Sequence, residues 1–439
     1  MAEWLGGRFP ATRRGRSRGI RGSGTWALTG AMIVASAASV AGAATLCVNP
    51  GGTGGCQSSI SAAVAAASPG ETINVAPGRY TGGVTIDKPV SLIGANERNT
   101  VIDAAGMPTG ITIDGIASPG LSGVVVSGFT VANAEFEGIL AVNTSSLTLA
   151  DNRITGNDAS LDASSGTCPG IPVFETMEGF DCGEGIHLSG VDHAIVSGNL
   201  VYGNAGGILL SDDTGATHDN LITNNVVRDN PYDCGITLAS HPPAAVAGSP
   251  APLGVYDNTV AGNVSTRNGV DVEGAGAGVG IFASVPGTAA YGNVVIGNRL
   301  NDNGLPGVAL HAHAPGQNVD GNVITRNEIS GNGADTEDAA TPGPTGINVF
   351  SAVSPVSGIV VSDNVITRES VNVAVKAPTE VTVRLNRFIA KGIGVDNLGA
   401  GPVDARENWW GCSNGPGAPG CSAIAGSGVL ADPWLTRPF

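Results

Sequence analysis

Basic side chains are what this sequence has least of: 21 Lys and Arg stand against 37 Asp and Glu, and only three of the 21 are lysine. A surface so poor in cations repels phosphate backbones, which need clustered Lys and Arg, so nucleic acid is excluded as a partner. Aromatic residues make up 4% of the chain, which leaves few rings as stacking platforms for sugars. The seven cysteines show no Cys-x-x-Cys spacing, so zinc-ribbon and dithiol redox motifs are absent. Long apolar runs are missing too. The longest, Trp26 to Val40, is short for a membrane span.

That run follows Arg13, Arg14, Arg16, Arg18 and Arg21 and precedes the small residues Ala41 to Ala44. The order is that of a secretory signal cleaved after Ala43 or Ala44. Removing residues 1–43 leaves 15 basic and 36 acidic side chains, a net charge near −21. All seven cysteines survive the cut, and an exported chain can oxidise them. Cys47 with Cys56 and Cys412 with Cys421 are close pairs at the two ends. Of the other three, Cys168 with Cys182 is the preferred bridge and Cys182 with Cys234 the alternative.

What the chain has in abundance is glycine, 67 residues of it, together with asparagine in rhythm. Strand starts recur at Gly138-Ile139, Gly185-Ile186, Gly207-Ile208, Gly235-Ile236, Gly280-Ile281, Gly307-Val308 and Gly346-Ile347. The shorter gaps between them match one small supersecondary unit, and the longer gaps contain visible insertions. Apolar runs of three to five β-branched residues read as strands, too short for helices. No such unit buries its own apolar face, so stacking on neighbours builds the core. The expected fold is all-β: a single-stranded right-handed parallel β-helix with a short capping helix.

Asparagines are expected at the corners of the coils. One column would hold Asn199, Asn220, Asn258, Asn293, Asn318 and Asn364, another Asn204, Asn225, Asn263, Asn298, Asn322 and Asn386. Asparagine accepts left-handed turns, and its amide bonds backbone groups that a corner leaves free. Residues 57–68, with serines in the N-cap region and Ile60, Val64 and Ala67 on one face, predict a helix over the first open end. The expected division is a signal over 1–43, a cap over 44–70, the coils over 71–400 and a closing segment over 401–439.

The stretch from Ile60 to Asp103 resembles the opening of secreted right-handed parallel β-helix proteins of the pectin-lyase-like superfamily. The repeats from Gly138 to Asn397 are similar to that superfamily's coils, and Asn408-Trp409-Trp410-Gly411-Cys412 is similar to the closing segment of its bacterial members. The resemblance implies the fold and leaves the chemistry open, because one fold hosts lyases, hydrolases, esterases and adhesins.

With the strand starts aligned, outward positions form columns. The first holds His187, Leu209, Thr237, Phe282, Ala309 and Asn348, and the second Ser189, Ser211, Ala239, Ser284, His311 and Phe350. Asp212, Asp213, His241 and His313 follow at the strand exits, and His193 is expected at the same side. Asp213 and His241 share a register on adjacent coils, about 5 Å apart, where a carboxylate tunes an imidazole as acid or base. The candidate catalytic residues are Asp212, Asp213, His241 and His187. Asp233, Glu184, His311, His313, Phe282 and Phe350 are candidates for substrate binding. Insertions at 158–181, 241–252 and 333–344 are expected to wall a groove around them.

Calcium is the one cofactor considered, with Asp181, Glu184, Asp212, Asp213 and Asp233 as its candidate ligands. Arg228, Arg267, Arg326 and Arg368 each follow an asparagine by four, which would stack them in a row on one edge, although the preferred account is that each caps its own turn and pairs with nearby Asp229 or Glu369. The expected function is action on, or binding of, an extracellular polysaccharide by a lyase-type or hydrolase-type protein, acting as a monomer. The alternatives are a non-enzymatic binding module and a protein resembling copper-maturation factors of nitrous oxide reductase. Copper wants clustered His, Met or Cys, and the signal-free chain keeps only Met107 and Met177.

Overall fold

The computed structural model describes residues 45–170, 183–241, 254–272, 276–336, 339–389 and 391–438. The expected signal and its cleavage site lie outside them, as do Asp181, Met177 and Cys182.

Three long parallel sheets run the length of the molecule, with 14, 11 and 12 strands, beside a short three-stranded one. The chain visits the three sheets in turn and pairs each strand with the equivalent strand of the next coil. One coil, for example, comprises Ile195–Ser197, Leu200–Tyr202 and Gly206–Ser211. This is the expected right-handed parallel β-helix. Its interior is built of apolar columns, one from each sheet of short strands and two from the sheet of longer ones, as in Val196, Val201, Ile208 and Leu210, all fully buried. The first strand, Thr45–Val48, pairs with Thr72–Val75, so the sheets begin inside the expected cap. They also continue into the closing segment through Ala423–Gly426 and Val429–Leu430.

Strand starts need glycine because the corner is crowded. A Cβ at Gly185 would lie 2.2 Å from Val201 Cγ1 and 2.9 Å from Asn204 Nδ2. One expected start is shifted: Ile236 pairs with Val279, not Ile281, so Gly278 takes the corner. The sequence from Gly274 to Gly280 has glycine at every second position, and nothing in it selects among them. Phe282 consequently moves to the second outward column, beside Ala239 and His311, and Ser284 moves to the strand exit.

The asparagines form ladders, in a different register from the expected one. Asn152, Asn199, Asn225, Asn263, Asn298, Asn327, Asn364, Asn386 and Asn408 make one continuous amide-to-amide chain, with steps of 2.9–3.1 Å. A second runs Asn157, Asn204, Asn230, Asn268, Asn303 and Asn332, and ends on Glu369 Oε1. A third joins Asn220, Asn258 and Asn293. The left-handed residue is the one before the ladder position, such as Asn224, Asp229, Arg267 or Arg326, and not the ladder asparagine itself.

The arginine row is therefore not formed. Arg267 and Arg368 precede ladder positions at one corner, Arg326 precedes one at another, and Arg228 lies on a strand. Arg267 bonds Asp229 at 2.6 Å, Arg228 also pairs with Asp229, and Arg368 pairs with Asp302 at 2.9 Å.

The ends are closed as their residues suggest. Helix Ile60–Ala66 buries Ile60, Ala63 and Val64, and its N-cap Ser59 accepts from the Ala62 amide at 3.2 Å. At the far end Trp410 is fully buried against Phe388, over Gly394, where a Cβ would come within 2.6 Å of the indole. Cys47–Cys56 and Cys412–Cys421 are bonded. Cys168 is in a disulfide, whereas Cys234 is a buried thiol whose Sγ accepts the Ala277 amide, so the Cys182–Cys234 alternative is not formed.

The amide ladder is the expected seat of fragility. In Asn263, Oδ1 accepts from the amide and side chain of Asn225, while Nδ2 donates to Ile222 O and Asn298 Oδ1. Asn263→Ala leaves those groups buried without partners and should cost about 3 kcal/mol, read as a lowered denaturation midpoint. An unchanged midpoint would contradict a stabilising role for the ladder.

Candidate functional site

The outward face of the 12-stranded sheet carries the polar side chains singled out above. Register fixes their neighbours: Leu140 pairs with His187, His187 with Leu209, and Ser211 with Ala239. Two residues beyond the last pair, Asp213 and His241 meet as expected, with His241 Nδ1 at 3.1 and 3.2 Å from the two Asp213 oxygens.

Asp213 also accepts from Ser211 Oγ, and Ser211 Oγ lies 2.8 Å from His187 Nε2. A hydroxyl has one proton to give. With Ser211 donating to Asp213, His187 must donate through Nε2. Its other nitrogen, Nδ1, faces Glu137 Oε1 at 3.6 Å. Glu137, His187, Ser211, Asp213 and His241 thus form a line across four consecutive coils. Asp213 holds His241 through Nδ1, which carries the proton of that contact. That is the geometry of a carboxylate orienting an imidazole.

Asp212 plays a different part. Its oxygens accept from the His241 amide at 2.9 Å, Ser240 Oγ at 2.9 Å and the Gly254 amide at 2.8 Å. The side chain braces the strand exit that carries His241. Burial pushes the Asp212 carboxyl up, opposed by those three donors. Asp213 is displaced the other way: burial alone would raise it, but the charge and hydrogen bond of His241, then His187 and Ser211, hold it well below the usual carboxylate range.

None of this cluster is open to solvent. Glu137 is 0% exposed, His187 1%, His241 2% and Asp213 5%. The sequence pattern signals the outward column but not its cover. Of the expected groove walls, 171–182 and 242–253 lie outside the described residues. The third reaches over the face: Asp335 lies 3.2 Å from His311 Nε2.

His311 belongs to a second grouping further along the stack. Asn348 Nδ2 is 3.0 Å from its Nε2, and the rings of Phe282, His313 and Phe350 lie within 5.5 Å. Lys376 Nζ stands over Phe350. Phe350 is buried and His313 exposed. Glu184 is buried one coil from Glu137, and it approaches Asp233 over Gly206: a Cβ there would lie 2.8 Å from Glu184 Oε1 and 3.4 Å from Asp233 Oδ2. His193 is elsewhere. It is exposed on a left-handed turn beside Asp192, near a surface stack of His218, Tyr256 and Tyr291.

Among the described residues no group of three or more His, Cys, Asp or Glu side chains is arranged to hold a metal ion. Asp212 is saturated by three donors and Asp213 engaged by Ser211 and His241, so these two calcium candidates fit the role poorly. Glu137 and Asp335 are not among the expected site residues, and Ser211 is expected only as an outward position of its strand. Glu137 had a signal, since Glu-Gly-Ile occurs at both 137–139 and 184–186.

A family model described as a right handed beta helix region matches residues 97–281. No curated protein matches the chain. The crystal structure of DFA-IIIase from Arthrobacter chlorophenolicus without its lid is similar at 14% identity, over 84% of this chain and 89% of that one, with a TM-score of 0.50. A complex of the same lidless enzyme gives 13% identity, the same coverages and a TM-score of 0.50. A mannuronan C-5 epimerase A-module from Azotobacter vinelandii is 15% identical over 86% and 92%, with a TM-score of 0.39. At these identities the likeness shows the fold alone.

The depressed Asp213 carboxyl gives a pH signature. A group held below its unfolded value near pH 3.9 stabilises the fold fully above that pH and loses its contribution as pH falls through the folded value. Asp213→Asn should cost about 3 kcal/mol at neutral pH, and the gap from the parent should shrink in denaturation curves taken below about pH 4. A gap that widens on acidification would contradict the assignment.

Proposed function

We propose, for a chain that is a right-handed parallel β-helix of the pectin-lyase-like fold, that it is an exported protein acting on extracellular polysaccharide by acid–base chemistry, as a lyase or a glycoside hydrolase. The observation that carries this reading is the contact of Asp213 with both Ser211 and His241 across adjacent coils. A carboxylate-oriented imidazole is the equipment of a general base, worth roughly 100-fold or more in rate. His187 lies on the same line, and Asp212 fixes the backbone that carries His241.

The stack supplies the rest. Successive coils repeat the same outward columns at about 4.8 Å, a long linear face suited to a linear polymer. Phe282, His311, His313 and Phe350 lie further along it, and Glu184 and Asp233 border the face at its other end, near Glu137. DFA-IIIase, of the same fold, is an enzyme by name, so such stacks do hold catalytic sites. Export is supported by the basic-then-apolar N-terminal sequence and by disulfides at both ends.

One observation favours a second reading. The closure of Glu137, His187, Asp213 and His241 to solvent suits a non-enzymatic binding module in which the cluster locks neighbouring coils together.

Incubation with a panel of polysaccharides, with and without calcium, separates the two. The enzyme reading expects new reducing ends or unsaturated products from at least one of them. It also expects His241→Ala to lose about 100-fold or more in rate while keeping the parent's circular dichroism spectrum. No product from any substrate, with folded protein, would favour the binding module.

A further inference from the structure

Glu137 is a buried acid whose carboxylate meets no hydrogen-bond donor among the described residues. It is 0% exposed, neither carboxylate oxygen accepts a hydrogen bond, and His187 Nδ1 stands off at 3.6 Å. Three more carboxyls share its face over four consecutive coils: Glu184, Asp213 and Asp233. Two histidines, His187 and His241, oppose them.

Among the described residues no arginine or lysine is paired with these carboxyls. Arg228 and Arg267 pair with Asp229, Arg299 with Glu328 and Arg368 with Asp302. Arg384 and Arg406 converge on Asp404. Along the same sheet, Lys376 occupies the outward column five coils beyond Ser211 and stands over the Phe350 ring, and Lys88, just past the strand Val84–Ile86 on the other side, pairs with Asp87 and bonds Ala65 O. An anionic sugar would set its own carboxylate against four others where little water screens them. A buried acceptor without a donor is the converse: ligand hydroxyl groups satisfy it.

We infer that the ligand of this face is an uncharged, hydroxyl-rich glycan whose hydroxyls donate to Glu137, and that polyuronates are rejected. The inference rests on the functional reading above and narrows it. β-Elimination draws on a proton made acidic by the uronate carboxyl, so an uncharged substrate leaves hydrolysis. There, water adds across one glycosidic C–O bond: its hydroxyl joins the anomeric carbon and a proton goes to the leaving oxygen.

Glu137→Gln supplies a test with two readouts. Exchanging an unsatisfied buried carboxylate for a neutral amide should leave the thermal midpoint unchanged or raise it, while weakening the bound glycan about tenfold. The chain is titrated against neutral polysaccharides (a β-1,3-glucan, xylan, a fructan) and against polygalacturonate and alginate, each with and without calcium. Binding is followed by calorimetry and products by reducing-end and unsaturation assays. Binding or cleavage of a neutral member alone, weakened in Glu137→Gln, is the expected result. Binding or elimination of a polyuronate would overturn the inference and leave the wider reading standing. Binding of no glycan at all would overturn both.

Discussion

Everything in this molecule depends on the lateral bonding of one coil to the next. A coil of three short strands buries too little to stand alone, and each corner leaves backbone groups without partners. The asparagine ladders answer that need: each amide accepts from the coil on one side and donates to the coil on the other, as Asn225, Asn263 and Asn298 do. The net gain per bond is only about 1 kcal/mol. Its weight comes from repetition and from the larger penalty of an orphaned buried group.

The same bonding builds the acid–imidazole line. Residues 28 apart in sequence, Asp213 and His241, touch because their strands pair in register from Ile208 with Ile236 onward. Function-bearing groups on such a scaffold are held by backbone pairing, not by loops, so their spacing is set at coil pitch. Two consequences follow from low dielectric on this face: Asp213 is held ionised by its imidazole and hydroxyl neighbours, and Glu137 is left wanting donors. The surface elsewhere neutralises itself locally, as where Asp229 serves both Arg228 and Arg267.

Much of this was legible from sequence. Glycine-led starts, β-branched triplets and the serine-capped helix gave the architecture, and period-two alternation placed His187, Asp213 and His241 on one outward face. Register was harder. Glycines at every second position around Gly278 leave its strand start undetermined by two residues, which misplaced Phe282. Asparagines spaced by five, as in Asn220, Asn225 and Asn230, look alike at three successive corners, so the columns were interleaved and the arginines after them wrongly aligned. Burial of the face was not legible at all, because cover from an insertion such as the one bearing Asp335 has no periodic signature.

The central claim is that pairing between coils couples side chains far apart in sequence. A double-mutant cycle of Asp213→Asn and His241→Gln, measured by chemical denaturation at neutral pH, tests it most directly. The account predicts a coupling energy of about 1–3 kcal/mol. Additive losses, with the two single effects summing to the double within error, would contradict it.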